Sequence, residues 1–229
     1  MKEIIKQLDH LCSIKEYSSY GGMQILHDGS NLLYSVKVEN LPENGIEVKL
    51  PLLMYHNVDP RQIFSEIQEE LVRKYEAPSV YDEGFDEIIE QMLENNGSVE
   101  IFHPMYISMP NYPGQDFHED CGYLCSIMFV DEDSMKFNLS QIDVNLYGSM
   151  PFNMLYTIMF ASILSNLTGR KLIECNFEYM NPYLRREELP KVAKLIEEEP
   201  QLDSCYIRIK KEISNLRNIE WNDIEVKIY

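Results

Sequence analysis

Residues 154–164 are apolar almost all the way round, and no other segment constrains the fold of this chain as much. Following Pro151-Phe152-Asn153, they read as a helix without a polar face. Such a helix belongs at the buried centre of a domain or in a membrane. This one is too short to cross a bilayer and carries Thr157 and Ser162. Other elements must therefore wrap around it, and 229 residues are enough to do so as one domain, 1–229.

The remaining periodicities supply those elements. Ile4, Ile5, Leu8 and Leu11 keep helical spacing, and Lys2, Glu3, Lys6 and Asp9 make the opening helix amphipathic, unlike a signal peptide. Gly21-Gly22 breaks the pattern, and residues 24–38 read as two strands around His27-Asp28-Gly29-Ser30. A short apolar strand is expected over 48–54. Asp59-Pro60 places an N-cap carboxylate before a first-turn proline, and Ile63, Ile67 and Leu71 line one face of the helix that follows.

A second helix is expected over 85–93, a strand over 98–109 and a loop over 111–120. Residues 123–130 and 135–146 flank the acidic turn Asp131-Glu132-Asp133 and read as a long hairpin. A strand over 172–177, a helix over 183–196, and strands over 206–209 and 224–228 complete the chain. Strands and helices intermix without regular βαβ alternation, which predicts an α+β fold.

Charge and cysteine usage narrow the function classes. With 38 acidic and 20 basic residues, the formal net charge is −18. That argues against wrapping nucleic acid and against an anionic membrane surface, both of which need clustered Lys and Arg. Five cysteines, Cys12, Cys121, Cys125, Cys175 and Cys205, are odd in number and scattered, as expected of reduced thiols in a cytoplasmic protein. His118-Glu119-Asp120-Cys121 reads as an acidic loop and not as a metal site, because consecutive residues rarely converge on one ion.

Several segments resemble thymidylate synthase in order and spacing. Leu146-Tyr147-Gly148-Ser149-Met150-Pro151-Phe152-Asn153 is similar to the family's stretch ending in Pro-Phe-Asn, which closes a long hairpin and opens the central buried helix. Leu50-Pro51-Leu52-Leu53, Pro60 to Ile67, Lys171-Leu172-Ile173-Glu174 and the tail from Trp221 to Val226 resemble further family segments. The resemblance implies a mixed β-sheet covered by helices, with sheets packing face to face across a homodimer. Degenerate copies of such a family are expected among viruses and phages, which carry nucleotide-metabolism genes.

The family's chemistry requires a thiolate that adds to a pyrimidine ring, and the resemblance makes Cys121 the candidate nucleophile. Glu119 and Asp120 precede it, and nearby anions disfavour a thiolate. The family's phosphate arginines fall at Val99-Glu100 and at Ile142-Asp143-Val144-Asn145, where this chain has no cation. Asn153 sits where the family reads the pyrimidine edge, or it caps the following helix. Tyr179 and Tyr183 lie near the family's sugar contacts. The family's folate-covering C-terminal segment has no counterpart after Tyr229.

Three functions follow as expectations. The first is a non-catalytic binding protein that needs no cofactor. Its partner is another protein, with a basic face, met by the acidic aromatic loop containing Tyr112, Asp116, Phe117, His118 and Glu119, or by residues 75–84. The alternative is a divergent pyrimidine C5 methyl- or hydroxymethyltransferase using Cys121 and folate. The third is a regulatory binder that holds a small molecule in the old cleft.

Overall fold

A computed structural model describes residues 1–20, 23–72, 102–108, 122–131, 133–214 and 218–229. Its architecture is α+β, with four helices and three sheets among the described residues. The helices are α1 (Lys2–Ser13), α2 (Pro60–Val72), α3 (Met150–Thr168) and α4 (Leu189–Glu198). None of the described helices is long and apolar enough to cross a membrane.

Helix α3 is the apolar segment singled out in the sequence, and every residue from Met150 to Leu164 is buried. Its two internal hydroxyls are satisfied inside the helix. Thr157 Oγ1 donates to Asn153 O at 2.8 Å, and Ser162 Oγ donates to Ile158 O at 2.6 Å. Pro151 lies in its first turn, and Gly169 ends it in the left-handed conformation, φ 66°, which costs glycine nothing.

The five-stranded sheet runs β3 (Asn31–Lys37), β9 (Lys171–Met180), β8 (Ser134–Ile142), β7 (Gly122–Phe129), β6 (Phe102–Ser108). Among the described strands of this sheet, β8 and β9 alone pair in parallel, because α3 supplies the long crossover that parallel strands need. Leu32, Tyr34 and Val36 of β3, and Met135, Phe137 and Leu139 of β8, turn inward. Phe137 meets Phe160 of α3 edge-on, ring centroids 6.0 Å apart. A bulge at Ile173 shifts the β8–β9 register, so that Glu174 and Cys175 are both buried.

The outer face of this sheet is polar. Ser35, Lys37, Lys136, Asn138, Ser140, Asn176 and Glu178 lie on it, and its paired groups bond across strands. Glu174 accepts from Ser35 at 2.7 Å, from Lys136 at 2.7 Å and from Lys37. Those bonds hold its carboxyl at about 2, well below the ordinary range. One end of the face is apolar: Leu33 is 68% and Ile142 55% exposed.

A four-stranded antiparallel sheet runs β12 (Ile224–Ile228), β11 (Leu202–Ile209), β5 (Gly45–Pro51), β4 (Glu39–Leu41) and packs on α3. A three-stranded sheet joins β1 (Ser18–Tyr20), β2 (Met23–His27) and β10 (Tyr183–Arg185). The two strands around His27-Asp28-Gly29-Ser30 thus part into different sheets instead of pairing, with Asp28 Oδ1 accepting from Ser30 N at 2.9 Å in the turn.

Several expected boundaries are corrected. The helix expected over 183–196 begins only at Leu189. Tyr183–Arg185 is strand, because Tyr183 to Arg185 pair with His27 to Ile25, and Arg186–Glu188 forms a 3-10 turn. The strand expected to reach residue 54 ends at Pro51, and the second hairpin strand ends at Ile142 instead of residue 146. At Asp143 the backbone turns left-handed, φ 59°, and its amide bonds Met180 O at 2.9 Å. The expected helix over 85–93 lies outside the described residues.

Candidate functional site

Two of the buried polar residues, Asn145 and Glu188, meet at the turn between β8 and α3. Asn145 is buried, and its Oδ1 accepts from the amides of Tyr147 at 3.1 Å and Gly148 at 3.0 Å. Its Nδ2 donates to both carboxylate oxygens of Glu188, at 2.9 and 3.1 Å. Glu188 also accepts from Arg185 N at 2.8 Å. Burial pushes the Glu188 carboxyl up, against the opposing pull of the Arg185 amide and the Asn145 side chain. A Cβ on Gly148 would stand 3.1 Å from Asn145 Nδ2, so only glycine fits without displacement.

Tyr183 is tied to the same turn by its backbone. Its amide donates to Val144 O at 2.9 Å, and its carbonyl accepts from Leu146 N at 3.1 Å.

Beside this latch lies an aromatic cluster. The loop after β5 is held by Val58 N to Leu53 O at 3.0 Å and by Met54 N to Asp203 Oδ2 at 2.9 Å. Leu52, fully buried, adopts φ 61°, a conformation a leucine rarely takes. That bend delivers His56, whose ring meets Tyr147 edge-on at 4.8 Å and Tyr55 at 5.3 Å. Burial first, then the Lys191 charge, pulls the His56 pKa down, against a hydrogen bond to the Tyr147 backbone. His56 is therefore a neutral imidazole near neutral pH. Burial and the Tyr55 hydroxyl push the Tyr147 phenol well above its ordinary range. The three rings meet one another edge-on, with Tyr55 and Tyr147 6.1 Å apart.

The expected substrate residues Asn153, Tyr179 and Tyr183 lie on α3, β9 and β10. Asn153 does not cap α3, because the helix starts earlier, at Met150 after Ser149. Its backbone amide already bonds Ser149 O at 3.0 Å, and its side-chain Nδ2 donates to Gln141 Oε1 at 3.0 Å, both residues being buried. Tyr179 is fully buried and stacks on Phe177 at 6.0 Å. Asn153 and Tyr183 thus flank one turn, while Tyr179 lies within the core.

Around the expected phosphate positions, Ile142 is exposed, Val144 is buried, and Asp143 accepts from Asn181 Nδ2 at 2.5 Å. Arg185 lies 3.8 Å from Glu187, while Arg186 bonds Gln24 and stands 4.8 Å over the Tyr17 ring.

Sequence reasoning missed Gln141, Asn145 and Glu188. Asn145 and Glu188 are 43 residues apart and share no local motif, so no spacing signals their bond. Cys121, Tyr112, Asp116, Phe117, His118, Glu119, Val99 and Glu100, and residues 75–84, lie outside the described residues. Among the described residues, no group of three His, Cys, Asp or Glu converges to hold a metal ion. No protein-family model matches this chain, and no curated protein matches it in sequence.

Proposed function

We propose that this chain is a non-catalytic, thymidylate-synthase-like protein that forms a homodimer and works by binding another protein. The supporting observation is the Asn153–Gln141 bond. The amide expected to read a pyrimidine edge instead donates into the buried core at 3.0 Å. The turn next to it carries Ile142 and Asp143, which offer a phosphate dianion no donor with positive charge. A fold that keeps its core while its former cleft residues serve packing is one whose function has moved to its surface.

The decisive experiment incubates the protein with a 5-fluoropyrimidine nucleotide and, separately, the nucleoside, each with reduced folate. Intact mass is then read under denaturing conditions. The expected spectrum is that of the unmodified chain. An adduct lost in Cys121→Ser would replace this reading with the transferase. Pull-down from the native host, with charge reversal at Asp116 and Glu119, tests the partner surface.

A further inference from the structure

At the C-terminal end of α3, opposite the turn that holds Asn145, a cavity of about 440 Å³ opens between the helix, the β4–β5 turn and the segment after β11. That volume lies within the range of small-molecule sites. Its charged lining divides by origin. Arg170 and Lys171 come from the α3–β9 junction, Glu43 from the β4–β5 turn, and Glu212 from beyond β11. Glu43 is held by Arg208, and Arg170 exerts its charge on Asp131. Lys171 and Glu212 are exposed and make no ion pair among the described residues.

Two carboxamides in the lining are each half used. Asn40 donates through Nδ2 to Leu172 O at 2.9 Å, which leaves its Oδ1 as an acceptor. Asn166 accepts through Oδ1 from Ile213 N at 2.8 Å, which leaves its Nδ2 as a donor. Each is fixed by the bond it already makes, so its remaining atom is oriented before any ligand arrives.

The walls are equally fixed. Ser165 Oγ donates to Arg170 O at 2.5 Å and accepts from Leu172 N at 3.2 Å. In the β4–β5 turn, Arg208 Nε donates to Glu43 O at 3.2 Å, and Ile209 N donates to Asn44 O at 3.3 Å.

We propose that this cavity binds a small zwitterion of dipeptide size, with its carboxylate toward Lys171, its ammonium toward Glu212, and its peptide unit against Asn40 and Asn166. A polyanion would meet Glu43 and Glu212, and a simple cation would meet Arg170 and Lys171. An apolar ligand would strip water from the polar lining without replacing its hydrogen bonds. A molecule bearing both charges and one amide meets Lys171, Glu212 and the two half-used carboxamides together.

Isothermal titration calorimetry on the full chain tests this, using alanylalanine, its N-acetylated and C-amidated forms, and inorganic phosphate. Alanylalanine is expected to bind wild type and to bind Lys171→Met and Glu212→Gln about tenfold more weakly. The amidated form is expected to bind wild type and Lys171→Met alike, and the acetylated form to bind wild type and Glu212→Gln alike. Neither side chain makes a hydrogen bond or ion pair within the described fold, so both variants should melt as wild type does. The proposal is overturned if alanylalanine gives no binding heat, if both variants bind it unchanged, or if phosphate binds as tightly. None of these outcomes bears on the protein-binding reading above.

Discussion

Asn145 and Glu188 tie the turn before the central helix to the turn before α4, with Asn145 Nδ2 within 2.9 and 3.1 Å of the two carboxylate oxygens. The same asparagine caps two backbone amides through its other atom. Asn145→Ala removes all of these bonds and leaves a buried carboxylate short of a donor. It should cost roughly 2–4 kcal/mol, read as a lower urea midpoint at unchanged slope. Glu188→Gln keeps an acceptor and should cost about 1 kcal/mol. Equal losses in the two variants would show that the pair does not act as this latch.

Glu174 gives the fold a defined acid sensitivity. Its carboxyl titrates at about 2 in the native state against an ordinary 4.5, so its contribution is complete above about pH 4.5 and disappears as pH falls toward 2. Because Lys37 is largely solvent-exposed, screening reduces the contribution to on the order of 1–2 kcal/mol. Urea unfolding of wild type and Glu174→Gln should differ at pH 5 and converge near pH 2. A constant difference across that window would contradict the assignment.

Thiol chemistry should separate the cysteines by burial. The Cys205 thiol is pushed up to about 12 by burial, with Asp203 and Glu47 adding to the effect. Iodoacetamide at pH 8 should leave the Cys205 and Cys175 peptides unlabelled in the native protein and label both in urea. Cys12, half-buried and with its pKa raised by burial and Asp9, should label slowly.

The buried helix should tolerate truncation poorly. Phe160→Ala removes the ring that meets Phe137 edge-on and opens a void in the centre of the molecule. A loss of roughly 3–5 kcal/mol is expected from thermal or denaturant melts. A loss below about 1 kcal/mol would mean that the helix is not packed as described.

The proposed homodimer predicts a light-scattering mass near twice the 26.9 kDa of one chain. The outer face of the five-stranded sheet is the surface to perturb, because Leu33 stands exposed at its apolar end. Leu33→Arg should shift the mass toward one subunit without lowering the melting temperature of the monomer. A wild-type mass of one subunit would refute the dimer.

How much of this was legible in the sequence depended on how local the signal was. Residues 154–164 declared the buried helix, and Asp59-Pro60 the start of α2, where Asp59 Oδ1 accepts from Arg61 N at 2.9 Å. Tyr183 to Arg185 were misread because their strand character comes from pairing with β2, far away in sequence. Asn153 was misread as a possible cap because the first turn of α3 lies one residue before its proline, and its actual partner, Gln141, sits on another element. The latch and the zwitterion cavity were invisible for the same reason: each is assembled from residues that only the folded chain brings together.

The separation of β2 from β3 at the Asp28-Gly29-Ser30 turn has a consequence for how the chain is made. Among the described residues β3 pairs with β9 alone, and β5 finds its main partner in β11, so strands within residues 31–51 wait for strands within residues 171–209. A growing chain leaving the ribosome must hold Leu32, Tyr34, Val36, Val48 and Leu50 without their final neighbours until β9 and β11 have emerged. Sheets closed over such long loops form slowly and expose sticky intermediates. Loss of β9 or β11 should therefore undo β3 and β5 as well, more than a hundred residues upstream.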